Sequence, residues 1–191
     1  KLGRVDPPID LAAVDAPFLF EDILVNGDDD AADETGGTGG DQLMRTWWHR
    51  HGDEYVGLEQ SLDLIRAIWA DGKGNYEGIM GFNQGARLAH LLALMHSAPD
   101  SRLFPGLKYC IFASGYGDVP LPTNYPPNGP GWEDFLDNSL TLNDLASLKI
   151  GVPSLHVMGL SDGLIPVASS RALLTSYVDP KGILVRLNSE W

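Results

Sequence analysis

The chain has 191 residues, 43% of them hydrophobic, which suits one domain built on one sizeable core. Its 26 acidic residues against 13 basic ones leave a net charge of −13, which argues against nucleic acid or an anionic membrane as partner, since both need clustered Lys and Arg. A lone cysteine, Cys110, excludes an internal disulfide. With no signal-peptide pattern and no apolar run near 18 residues, the expectation is a soluble protein of a reducing compartment, cytoplasm or organelle interior, with no membrane insertion.

Taken in chain order, IDLAAVDA (9–16) reads as a first buried strand. NGDDDAADETGGTGGD (26–41) combines acid residues with glycine and reads as an acidic, Gly-rich mobile loop. YVGLEQSLDLIRAIWA (55–70) puts Leu58, Leu62, Ile65 and Trp69 on one helical face. YEGIMGF (76–82) is a strand, and QGARLAHLLALMHS (84–97) a helix with a broad apolar stripe. LKYCIFAS (107–114) is a strand that places Cys110 in the core, and GYGDVPLPTNYPPNGPGW (115–132) is an irregular excursion. VPSLHVMG (152–159) is a strand, VASSRALLTSYV (167–178) a helix entered through Pro166, and GILVRL (182–187) the last strand. The strands are continuous apolar runs rather than alternating ones, which predicts a largely parallel sheet covered on both faces. Strands alternating with helices make the fold class three-layer α/β, helices on both sides of the sheet.

GFNQGA (81–86) matches the G-x-S-x-G nucleophile elbow except at its centre. The elbow turns a strand sharply into a helix and holds its tip residue at positive φ. Asn83 tolerates that backbone better than most residues, yet a carboxamide has no hydroxyl for a base to activate.

AVDAP (13–17), WW (47–48) with YVGLEQSLDLIRAI (55–68), YEGIMGFNQGARLAHLLA (76–93), KYCIFASGY (108–116) and PSLHVMGLSDGLIPVASSRAL (153–173) occur in this order. In these blocks the chain resembles the fungal and animal family of serine hydrolases that includes the ovarian-cancer-associated hydrolases, a branch of the α/β-hydrolases. The resemblance implies one hydrolase domain over 1–191, with further sequence expected at both ends. It also implies hydrolysis of carboxylic esters or thioesters of modest size, without cofactor or metal. The nucleophile position falls on Asn83 and the triad acid on Asp162, which also suits a plain turn before Gly163. The backbone N–H of Gln84 would be one oxyanion donor. The family's catalytic histidine follows the acid, but His49, His51, His90, His96 and His156 all precede Asp162. Either Trp191 occupies the histidine position or the histidine lies beyond it.

His156 reads as a core residue, and His49 with His51 lacks metal-site spacing. Ser114 and Ser161 are possible nucleophiles for a different hydrolytic chemistry, but neither sits on an elbow. The family's early strand, whose loop gives the second oxyanion donor, has no counterpart here. The expectation is that a further segment or another protein chain completes the sheet. The resulting functional expectation is a catalytically silent family member acting as a scaffold, an interaction subunit or a binder of a small acyl ligand. The alternative is an active ester or thioester hydrolase with an altered nucleophile.

Overall fold

The computed structural model describes residues 11–19, 45–71, 76–127, 132, 134 and 141–185. Its centre is a four-stranded parallel sheet, in the order β5 (Gly78–Phe82), β6 (Tyr109–Ala113), β7 (Ser154–Gly159) and β8 (Pro180–Val185). Two antiparallel pairs precede it: β1 (Phe18–Leu19) with β2 (Arg45–Thr46), and β3 (His49–His51) with β4 (Glu54–Val56). The helices are α1 (Leu58–Ala70), α2 (Gln84–Ser97), α3 (Leu142–Ser147) and α4 (Val167–Leu174). Parallel strands joined by helical crossovers are the α/β-hydrolase-like arrangement expected from the alternation of apolar patterns.

Helix α2 is the core element. Every residue from Ala86 to Met95 is buried, more than the single face that an amphipathic surface helix buries. Leu91, Leu92 and Met95 join Leu58 and Leu62 of α1, Phe112 of β6, and Leu145, Ile150 and Leu173 in one cluster. Each fully buried Leu contributes about 1.5–3 kcal/mol relative to exposure. Close approach of α2 to the sheet depends on Gly81, where a Cβ would overlap the Gly85 carbonyl and the Ala86 nitrogen.

Polar groups are buried in the same layer. His90 Nδ1 and the Tyr177 hydroxyl share a 3.2 Å hydrogen bond, and His156 Nε2 meets Ser154 Oγ at 3.1 Å. The His156 ring packs 4.9 Å from Phe112 and 5.1 Å from Tyr177, centroid to centroid. Its burial brings its pKa down to about 4. Burial, and then the charges of Arg87 and His156, hold His90 well below the usual histidine value. The Arg87 guanidinium is also buried: Nη2 donates to the Val119 and Pro120 carbonyls at 2.9 and 3.0 Å, while Nε has no partner among the described residues.

Three expectations need correction. In the expected strand 9–16, the described residues 11–16 are not extended into any sheet, and Leu11 is 78% exposed. An apolar run becomes a strand only when its backbone groups find a partner, and none of the described strands pairs with this one. Second, the apolar runs are not buried along their whole length among the described residues: Met80 and Phe82 of β5 are 62% and 68% exposed, and Ile183 and Leu184 of β8 are 48% and 46% exposed. These are the two outermost strands, where one side has no neighbour among the described residues. Third, α4 ends at Leu174 rather than at 178, because Tyr177 turns into a bridge with Ile150. The acidic loop 26–41 lies outside the described residues. No described helix is long and apolar enough to cross a membrane.

Candidate active site

The register of the sheet brings three bends to one edge. Phe82 lies opposite Ala113, and Ala113 opposite Val157, so β5 and β6 end level while β7 runs two residues further, to Gly159. The next N–H continues each ladder: Asn83 donates to the Ala113 carbonyl and Ser114 to the Val157 carbonyl, both at 2.9 Å. Ligands of open α/β sheets bind outside this carboxyl edge.

Asn83 stands between β5 and α2 with φ 49° and ψ −116°. That conformation is strained for any L-residue, and two rigid elements meeting at one residue impose it. Its carbonyl accepts the Ala86 and Arg87 N–H groups at 3.0 and 3.1 Å and so starts the helix. Its side chain caps nothing. The carboxamide is half-exposed at the tip of the bend, with its hydrogen-bonding groups uncommitted among the described residues. The N–H groups of Gln84 and Gly85 likewise make no hydrogen bond among the described residues. Unpaired N–H groups in a first helical turn attract anions and carbonyl oxygens.

Asp162 follows β7, one strand removed from β5. Two strand spacings put its loop roughly 10 Å from the Asn83 bend. Oδ1 accepts from Leu164 N and Ile165 N, each at 2.9 Å. The Ile165 N–H above all, with the Ser114 hydroxyl and the Leu164 N–H, holds the carboxyl below the usual carboxylate range. The residue is thus both a turn former and an ionised carboxylate at the sheet's edge. Ser114 differs from its sequence-based reading. It too bends at positive φ, 48°, next to Asn83 on the adjacent strand, although Gly115 and an irregular run follow it instead of a helix.

No histidine joins this edge from the five positions. His90 and His156 are held in the core as described. His96 Nδ1 pairs with the Leu103 carbonyl at 2.8 Å, and His49 and His51 belong to the β3–β4 hairpin. Trp191, the other candidate for the histidine position, lies outside the described residues. Two residues that sequence reasoning passed over, Thr46 and Trp47, are bonded to the Gln84 side chain, at 2.8 and 2.7 Å. The WW pair was visible in the sequence, but its attachment to the bend was not.

The chain is 29% identical over 163 residues to Esterase OVCA2 of Homo sapiens, covering 79% of this chain and 63% of that protein. With Esterase OVCA2 of Danio rerio it shares 28% over 151 residues, 72% of this chain and 57% of that one. The chain thus spans between half and two thirds of the length of curated relatives it matches. Among solved structures, a lipase-esterase related protein from Clostridium acetobutylicum aligns with TM-score 0.44 and 14% identity, over 71% of this chain and 68% of that one. Arabidopsis thaliana SOBER1 aligns with TM-score 0.43 and 16% identity, over 76% and 65%. The profile described as "Serine hydrolase (FSH1)" matches residues 5–186, nearly the whole sequence, and the chain belongs to that family.

Proposed function

We propose that this chain is a catalytically silent serine-hydrolase-family domain whose remaining activity is to bind a small acyl ligand at the carboxyl edge of its sheet. As such it would serve as a scaffold or interaction subunit for another protein chain. The observation that carries the reading is Asn83: an elbow backbone at φ 49° and ψ −116° bearing a side chain without a nucleophilic hydroxyl. Covalent ester hydrolysis of this kind needs a hydroxyl or thiol attacking the carbonyl, and loss of the nucleophile alone removes several powers of ten in rate. What survives removal of the nucleophile is binding: free N–H donors at the start of α2, and a carboxamide that both donates and accepts.

The test is to incubate the purified protein with p-nitrophenyl butyrate and an acyl thioester, and separately with a fluorophosphonate probe. Neither turnover nor labelling is expected. Saturable hydrolysis together with a covalent adduct would overturn the reading. A second reading, an active carboxylic ester or thioester hydrolase with an altered nucleophile, draws support from the esterase names of the relatives and from the ionised Asp162 at the same edge. Mapping any fluorophosphonate adduct by mass spectrometry distinguishes the two and, under the second reading, names the nucleophile.

A further inference from the structure

Gln84 does more than follow the bend. Its Oε1 accepts the Trp47 N–H at 2.7 Å, and its Nε2 donates to the Trp48 carbonyl at 2.9 Å. The Thr46 hydroxyl lies 2.8 Å from the same Oε1 and 2.6 Å from the Trp48 carbonyl, so its single proton serves one of the two. The Ser61 hydroxyl of α1 donates to the Trp47 carbonyl. One carboxamide, rooted beside Asn83, thus fastens the backbone of residues 46–48 to the first turn of α2.

The two tryptophans so fastened have different surroundings. Trp48 is 3% exposed and stacks on Tyr55 with centroids 4.9 Å apart, which makes it core. Trp47 is only half-buried. Its Nε1 lies 3.3 Å from where a Cβ on Gly85 would stand, and its indole N–H makes no hydrogen bond among the described residues. Beside the bend there are consequently three uncommitted donors, the N–H groups of Gln84 and Gly85 and the Trp47 indole, together with a flat apolar surface. A corner of donors without acceptors suits a ligand that presents a carbonyl oxygen on an apolar chain.

We infer that Trp47 is a ligand-contacting residue of this site and that Gln84 is its positioning residue. The indole ring receives the apolar part of an acyl group, and the indole N–H and the first N–H groups of α2 receive its carbonyl oxygen. This rests on the acyl-binding reading above, and the experiment separates the two. The protein is labelled with 5-fluorotryptophan, the Trp47 resonance is assigned with Trp47→Phe, and S-hexanoyl-N-acetylcysteamine, a neutral acyl thioester, is titrated while ligand-observed NMR reports binding independently.

The expected result is a saturable shift of the Trp47 resonance. Affinity should fall about tenfold or more in Trp47→Ala and in Gln84→Met, and by less in Gln84→Glu, which keeps an oxygen for the Trp47 N–H but loses the donor to the Trp48 carbonyl. If Gln84→Met does not fold, Trp47→Ala, which leaves the backbone clamp intact, decides alone. Binding with an unmoved Trp47 resonance and unchanged affinity in Trp47→Ala overturns this inference and leaves the acyl-binding reading standing. Absence of binding overturns both.

Discussion

Lowering the pH should destabilise this protein through one buried ring. His156 is 1% exposed and is held neutral, with a pKa of about 4 against 6.5 for an unperturbed histidine. Because the folded value lies below the unfolded one, the unfolded chain takes up the proton first. The contribution is complete above pH 6.5 and drains away as the pH falls towards 4. Linkage gives a loss of about 2 kcal/mol between pH 8 and pH 5, reaching about 3 kcal/mol at pH 4. His156→Gln removes the titration while keeping a side chain able to reach Ser154. The assay is urea unfolding of both proteins at pH 8, 5 and 4, taking the difference of differences so that carboxylates, and at pH 8 and 5 also His90, which feels His156 only when that ring is charged, subtract out. His156→Gln should be less stable at pH 8 through lost packing on Phe112 and Tyr177, yet should lose about 2 kcal/mol less than wild type on going to pH 5. Parallel pH profiles would refute the reasoning, because they would mean that His156 is already protonated, or solvated, in the folded state.

Three further outcomes follow from the same geometry. Gly81→Ala should destabilise by roughly 1–3 kcal/mol or more, read by urea unfolding, because its methyl group meets the backbone of Gly85 and Ala86 rather than a side chain that could move aside. Asn83→Gly should raise the unfolding free energy by about 0.5–2 kcal/mol, read as a higher Tm: it relieves a backbone strain of about 1–3 kcal/mol, gives back about 0.5–1 as glycine entropy, and loses no side-chain cap. Cys110, fully buried and with its thiol pushed up to about 12 by burial, should not react with Ellman's reagent in the native state and should react once in urea.

The parts of this fold legible in the sequence are those whose pattern is local. The span 84–97 was readable residue for residue because a strand, two glycines and a broad apolar stripe follow one another without a gap. Asn83 was readable as the tip of a bend for the same reason. Residues 9–16 misled because an apolar run states a wish for burial but not the identity of a neighbour. The β3–β4 hairpin has no apolar alternation to reveal it. Helix α3, six residues long, is too short for periodicity, although the Thr141 and Asp144 capping box that starts it is a sequence signal that was there to use. The clamp from Gln84 to residues 46–48 was beyond reach altogether, since it joins positions 36–38 apart through a tertiary contact that neither segment encodes alone.

The guanidinium of Arg87 has exchanged its hydration shell for two peptide oxygens of the segment at 119–120, and no carboxylate of the described residues stands ready to replace them. Arginine stays charged at any pH the protein meets. Lifting that segment off α2 would therefore strand a cation in a dry place unless water entered at the same moment. Movement of the strip above the helix and wetting of the helix beneath it become a single event. Hydrogen exchange at residues 119–120 and in the first turns of α2 should then rise and fall together.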